Sequence, residues 1–240
     1  MSKMIIENNP KWGSQQRDIK AFAILQTIKK FKERPLIDSL CVDIGCGSGG
    51  ITYHLSPYFK NIIGIDPEPW QLWIEYKKKA KNIFYIENKT EKLSILDSSV
   101  DYVVCNQVYE HVSNPEILIT QIYRILKPGG LCYFSGPNIL SPIEQHVMLP
   151  FVHWLPRRIG CYISKTIRPN SIFDANATHY WKILRWLRNF FVTNAVPYII
   201  KNPSLYKKDN LLWRILSCIP NKIIDNMTWI SPTFVFILKK

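Results

Sequence analysis

No stretch of this sequence reaches the roughly 18 consecutive apolar residues that a membrane-crossing helix needs, so no spanning helix is expected. The opening residues, MSKMIIENNPKW, lack the apolar centre of a secretory leader. Six cysteines (Cys41, Cys46, Cys105, Cys132, Cys161 and Cys218) are scattered without a C-x-x-C pair or the Cys/His spacing of a zinc site. Reduced thiols in a cytoplasmic protein are the simplest reading, and no metal is assigned. Repeats and low-complexity tracts are absent as well. Acid is scarce in one region only: 31 Lys and Arg stand against 18 Asp and Glu, net +13. Up to Leu140 the balance is 17 basic to 14 acidic, near +3, and the last hundred residues carry 14 against 4, near +10. The basic character therefore belongs to the C-terminal segment.

What is present suits one domain. A chain of 240 residues, 47% of them hydrophobic, can bury one substantial core and is short for two. From Leu40 to Gly136, short β-branched runs alternate with helix-patterned ones, as in a parallel sheet with crossover helices. The strands expected are LCVDIG, NIIGID, NIFYIE, VDYVVCN and GLCYFSGP. Helices are expected over Gly49 to Ser56, Pro69 to Ala80 and Pro115 to Leu126, the last closed by KPGG. A helix over Ser14 to Phe31, spaced by Ile19, Phe22, Ala23 and Gln26, precedes them as a cover.

After Asn138, Pro142, Pro150 and Pro156 break the pattern into short helices inserted behind the fifth strand. A helix follows over His179 to Val192, then a sixth strand in TNAVPYII and a seventh in TFVFILKK. The expectation is an α/β, Rossmann-like, seven-stranded and mostly parallel sheet with flanking helices. Its parts are an N-terminal helical cover (1–39), a ligand-binding core (40–137), a helical cap after the fifth strand (138–178) and a C-terminal part (179–240).

VDIGCGSGG, Val42 to Gly50, satisfies G-x-G-x-x-G, which alone suggests a dinucleotide site. Asp43 argues otherwise. It lies two residues before Gly45 on the same strand, so its carboxylate shares a face with the loop and would repel a pyrophosphate. A ligand with an ammonium for Asp43 and a carboxylate for the glycine amides satisfies both, and an amino-acid moiety is such a ligand. Asp66, about 20 residues beyond the loop at the end of the second strand, stands where an acid accepts from ribose hydroxyls. Unpaired, a buried Asp43 would cost several kcal/mol.

With VDIGCGSGG, IIGID, NKTEKL, VDYVVCNQVYEHVSNP and LKPGGLCYFSGPN in ordered succession from Leu40 to Pro137, the chain resembles the class I S-adenosylmethionine-dependent methyltransferases. Within that family it is most similar to the ubiquinone-biosynthesis group. The resemblance implies that S-adenosylmethionine is bound with Asp43, Gly45, Cys46, Gly47 and Gly49 around its methionine part. It further places Asp66 at the ribose, Thr90 and Glu91 beside the adenine, and Asn106 near the sulfonium. Lys89 departs from the pattern, because many relatives carry an Asp there. In similar ubiquinone O-methyltransferases the loop after the fourth strand holds two glutamates and a histidine that bind a divalent ion. Glu110 and His111 match, and Gln107 stands at the first position.

Methyl transfer from a sulfonium needs a base only where the acceptor must lose a proton. His111, His146 and His153, with Glu144 nearby, are the candidates, and His111 and His146 are taken as catalytic; a cap whose histidines are satisfied internally is the competing reading. IEQHVMLPFVHWLPRR, at the place of an acceptor-binding cap, suits an apolar or sugar-like acceptor. The expectation is O-methylation of a small-molecule, glycan or lipid-linked acceptor. Alternatives are an RNA methyltransferase or a non-catalytic S-adenosylmethionine-binding protein on the same fold. The basic aromatic C-terminal segment reads as a solvated face, as a surface for peripheral contact with anionic lipid, or as a nucleic-acid footprint. The last loses ground because CNQVYEH lacks the Asn/Asp-Pro-Pro-aromatic loop of enzymes that methylate base amines.

Overall fold

The computed structural model describes residues 16–144, 149–167, 176–208 and 210–240. Seven strands form one sheet: β1 (Leu40–Ile44), β2 (Asn61–Asp66), β3 (Ile83–Glu87), β4 (Val100–Asn106), β5 (Leu126–Pro137), β6 (Phe191–Asn194) and β7 (Thr233–Lys239). Their order is β3-β2-β1-β4-β5-β7-β6, with β7 antiparallel to both neighbours and the pairs from β3 to β5 parallel. The direction of travel reverses between β1 and β4, so a crevice opens beyond the carboxyl ends of these strands.

Central strands are buried on both faces, which is why β1 and β4 read as nearly unbroken apolar runs. One face is covered by α1 (Arg17–Phe31), α2 (Gly50–Leu55) and α3 (Gln71–Lys79), with Ile24, Leu25, Leu55 and Trp73 in its core. The other is covered by α4 (Pro115–Ile125), whose Leu118, Ile119, Ile122 and Ile125 form one buried stripe. Pro115 and the Asn114 side chain, which accepts from the Glu116 and Ile117 amides at 3.1 and 3.2 Å, start α4 cleanly. Leu126 is already extended, so α4 ends one residue earlier than expected and β5 begins within LKPGG.

Several expectations are corrected. The buried face of α1 is Ala21, Ile24, Leu25 and Ile28, and Ile19 is exposed. The helix expected from His179 to Val192 is shorter. In α5 (Arg157–Ile167) and α6 (Tyr180–Trp186) the chain is helical, but Phe191–Asn194 pairs with β7 as β6. β-branched Val192 and Thr193 favour that ladder. TNAVPYII is strand only at its start. Pro197 sits in the first turn of α7 (Val196–Lys201), where its missing amide costs nothing, and the Asn194 side chain accepts from the Val196 amide. Two further helices, α8 (Leu211–Cys218) and α9 (Asn221–Met227), precede β7.

Candidate active site at the carboxyl edge of the sheet

A cavity of about 530 Å³ opens at this edge, lined by Gly45, Gly47, Asp66, Pro67, Glu68, Trp70, Lys89, Thr90, Glu91, Gln107, Val108, Glu110, His111, Val112, Ser113 and Asn176. The segments after β1, β2, β3 and β4 all contribute to it. Gly45 has φ +68°, and an added Cβ would lie 2.6 Å from a Val108 methyl, so the loop after β1 closes against the loop after β4 only with glycine here. At Gly47 a Cβ would meet nothing within 4 Å: that backbone faces the cavity itself.

The turn is tied down from three sides. Gly45 and Cys46 amides donate to the Ile65 carbonyl at 2.8 and 3.0 Å, and the Gly47 amide donates to Asp66 Oδ2 at 2.8 Å. From α3, Trp73 Nε1 donates to the Gly47 carbonyl at 2.8 Å; from β3, Tyr85 donates to the Gly49 carbonyl at 2.9 Å. Trp73 and Tyr85 stack with centroids 5.0 Å apart. Nothing in the spacing of the sequence singles out these two aromatics, since both sit where core residues belong. The Gly45, Gly47 and Gly49 amides of the turn are all engaged within the fold, the last donating to the Cys46 carbonyl at 2.9 Å.

Asp43 is likewise re-placed. It lies beneath the cavity wall, 2% exposed, where its Oδ2 accepts from Thr52 Oγ1 at 2.7 Å and its carboxylate also accepts from the Thr52 amide. The sequence argument treated a structural Asp43 as an unpaired charge, and Thr52 of α2 supplies the missing partner. Burial pushes the Asp43 carboxyl up to about 7; the Thr52 hydroxyl and the Arg17 guanidinium of α1 hold it down, and Asp66 adds a smaller upward push. Burial also raises Asp66, against the Gly47 and Glu68 amides that donate to it.

Of the residues expected at the site, Gly45, Gly47, Asp66, Thr90, Glu91 and His111 share the cavity wall, and Asp43, Cys46, Gly49 and Asn106 are not among its lining residues. Asn106 is engaged with β5, its Oδ1 accepting from Ser135 Oγ at 2.7 Å. His153 is part of the cap's own packing, its Nε2 lying 3.0 Å from the Ile139 carbonyl. His146 lies outside the described residues. The sequence reading missed Trp70, Glu68 and Asn176 as wall residues. It also missed the left-handed Gln107, φ +58°, which turns the chain sharply as it leaves β4 and brings Glu110 and His111 to the mouth. Glu110 is fully buried, and its Oε1 lies 3.9 Å from His111 Nε2.

A seven-stranded sheet with β7 alone reversed, and a glycine turn facing an acid on the next strand, define a Rossmann-like fold. Residues 42–134 match the model of a family described as a methyltransferase domain. The chain is 26% identical over 147 residues to the ubiquinone biosynthesis O-methyltransferase of Agrobacterium fabrum, covering 58% of each protein. It is 33% identical over 112 residues to the mitochondrial enzyme of that name from Rattus norvegicus, covering 44% of this chain and 32% of that one. The chain thus spans little more than half the length of the bacterial relative. Among solved structures, a Haemonchus contortus phosphoethanolamine N-methyltransferase 2 in complex with S-adenosyl-L-methionine superposes with TM-score 0.58 at 16% identity, over 97% of this chain and 58% of that one. An S-adenosylmethionine-dependent methyltransferase from Mesorhizobium loti does so with TM-score 0.58 at 14% identity, over 92% of this chain and all of that one. Residues 42–134 thus resemble a methyltransferase domain, and the likeness to the solved structures is one of fold.

Proposed function

We propose that the protein transfers a methyl group from S-adenosylmethionine to an oxygen of a small-molecule, glycan or lipid-linked acceptor. The observation that carries this reading is the cavity wall. Asp66, the Gly47 turn and the Glu110–His111 pair line one cavity. The residues present fit the cofactor. Gly47 leaves its face of the cavity clear, Asp66 offers carboxylate oxygens to ribose hydroxyls, and Thr90, Glu91 and Lys89 line the same wall for an adenine. Ser48 Oγ and Trp70 Nε1, buried without a hydrogen-bond partner among the described residues, flank the turn and the wall respectively.

When bound, S-adenosylmethionine supplies an electrophilic methyl on a sulfonium whose departure leaves a neutral thioether. The chain's task is alignment and proton management. Fixing two reactants in one geometry can supply about 7–11 kcal/mol of the barrier. The turn, held by Trp73 and Tyr85, is a rigid platform for that. In the same cavity the His111 imidazole accepts the acceptor hydroxyl's proton on a ring nitrogen, and the buried Glu110 carboxylate, 3.9 Å from Nε2, stabilises the resulting imidazolium.

Calorimetric titration with S-adenosylmethionine and, separately, with NAD tests the cofactor: micromolar binding of the first alone is expected, and binding of NAD alone overturns the proposal. His111→Ala is expected to leave S-adenosylmethionine affinity within about twofold and to lower turnover about 100-fold or more, the usual size of a lost general base. Full turnover in that variant would remove His111 from the chemistry.

A further inference from the structure

The glycine turn packs on aromatic side chains that are not part of the cavity wall. Trp73 of α3 and Tyr85 of β3 are buried, neither lines the cavity, and their rings stack 5.0 Å apart with 7° between the planes. Two glycines make room for them. Gly64 stands opposite Tyr85 in the β2–β3 register, and a Cβ there would lie 2.7 Å from the Tyr85 ring. A Cβ at Gly49, where φ is +81°, would lie 2.6 Å from the Tyr85 hydroxyl oxygen. The stacked pair is therefore in direct contact with the turn.

Each ring directs its one polar atom at a carbonyl of the turn. The Trp73 indole nitrogen is a donor only, and it holds the Gly47 oxygen at 2.8 Å. Burial raises the Tyr85 phenol above its ordinary value, so the hydroxyl stays protonated and donates to the Gly49 oxygen at 2.9 Å, which also accepts from the Tyr53 amide at 2.9 Å. A trans peptide is planar, with its carbonyl and the following amide on opposite sides. Holding the Gly47 carbonyl toward α3 therefore turns the Ser48 amide away from α3. The amides of Gly45, Cys46, Gly47 and Gly49 are engaged within the fold. Neither the Ser48 amide nor the buried Ser48 hydroxyl has a hydrogen-bond partner among the described residues. Two donors of one residue are thus left for a ligand, and Trp73 sets the direction of the amide.

The carboxylate of the amino-acid moiety is the part of S-adenosylmethionine that accepts from such donors. Asp66, Lys89, Thr90 and Glu91 line the cavity where the adenosine is expected, and none of them is bonded to Trp73. We propose that Trp73, stacked on Tyr85, is a positioning residue for the amino-acid end of the cofactor: it fixes the Gly47–Ser48 peptide so that Ser48 donates to that carboxylate, and it leaves the adenosine end untouched. This role rests on the S-adenosylmethionine reading and deepens it, because it names the half of the ligand that the aromatic support serves.

Two neutral thioethers separate the halves: S-adenosylhomocysteine carries the amino-acid chain, and 5′-methylthioadenosine lacks it. Calorimetric titration of the parent protein should show the first binding more tightly. Trp73→Phe keeps a ring on Tyr85 and loses only the indole N–H, so affinity for S-adenosylhomocysteine should fall about tenfold, the worth of about one hydrogen bond, and that for 5′-methylthioadenosine should stay within about twofold. Tyr85→Phe should act in the same direction and less, because the Tyr53 amide still holds the Gly49 carbonyl. Asp66→Asn, at the other end, should weaken both compounds alike. Should Trp73→Phe fail to fold in urea unfolding, Tyr85→Phe carries the same comparison. A support that only keeps the fold together would weaken both compounds equally, and that result, or unchanged binding of both in Trp73→Phe, overturns the role given to Trp73. So does a parent protein that binds the two compounds equally well. A parent protein that binds neither sinks the cofactor reading itself, and the positioning role with it.

Discussion

The two ends of one sheet bury carboxylates and treat them in opposite ways. At the amino end, Asp101 of β4 meets Lys127 Nζ at 2.8 and 2.9 Å, Arg34 at 3.2 Å and the Leu40 amide at 3.0 Å. Burial pulls it upward, but Lys127, the Leu40 amide and Arg34 together outweigh that and hold it below the ordinary carboxyl value. At the carboxyl end, burial pushes Asp43 and Asp66 up, and amides and a hydroxyl are their main partners there. The first arrangement holds β1, β4 and β5 in register. The second leaves carboxyls that burial raises at and behind a cavity wall, which is how a site that must meet a ligand differs from one that only has to stay folded.

Breaking the closed end should produce the larger stability effect. Asp101→Ala leaves the Leu40 amide without its acceptor and Lys127 and Arg34 without their counter-charge, and a loss of about 2–3 kcal/mol is expected in urea unfolding. S-adenosylmethionine affinity should be unchanged, because no cavity residue touches Asp101. A tenfold loss of affinity in that variant would mean that the two ends are coupled and the contrast false.

At the open end the order reverses. Asp66→Asn keeps an acceptor for the Gly47 or Glu68 amide but loses the charge offered to the ribose, so affinity should fall about tenfold, the worth of about one charge-assisted hydrogen bond. Stability should move by less than about 1 kcal/mol. Calorimetry and urea unfolding on the same sample check both, and a stability loss with unchanged affinity would reject the ribose assignment.

Much of this division was legible in the sequence, for reasons that differ by residue. Alternating strand and helix patterns placed β1 to β4 within about a residue, because strands buried on both faces leave an unbroken apolar signature, and they placed the end of β5 but not its start at Leu126. That Asp66, Gly45 and His111 line one cavity was legible because they follow strand ends at fixed intervals. Asp43 was located without its partner: a hydroxyl nine residues later that closes back on the strand leaves no periodic mark, so Thr52 went unnoticed. The span from 187 to 201 failed for a related reason. Phe191–Asn194 becomes a strand only because β7, some forty residues later, offers a free edge, and helix periodicity carries no information about such a partner. Trp73 and Tyr85 look like ordinary core residues and act through one polar atom each.

The pH dependence of stability is the most discriminating test for Asp43. Its folded-state carboxyl titrates at about 7, well above the 3.8 of the unfolded chain, so between those values the folded protein binds more protons than the unfolded one. Stability contributed by this group is fully present below the unfolded value and is lost as pH rises through about 7. The slope inside that window is at most about 1.4 kcal/mol per pH unit from one proton, and Asp66, shifted in the same direction, adds to it. Asp101 acts oppositely: its contribution is present above the ordinary carboxyl value and disappears only as pH falls through its lowered folded value. Melting followed from pH 5 to pH 8 should therefore show stability declining with pH, and Asp43→Asn, which can still accept from Thr52, should flatten that decline. An unchanged slope in Asp43→Asn would mean that Asp43 is ionised throughout. Its partner would then be the Arg17 guanidinium more than the Thr52 hydroxyl, and Arg17→Gln should raise the Asp43 pKa where Thr52→Val does not.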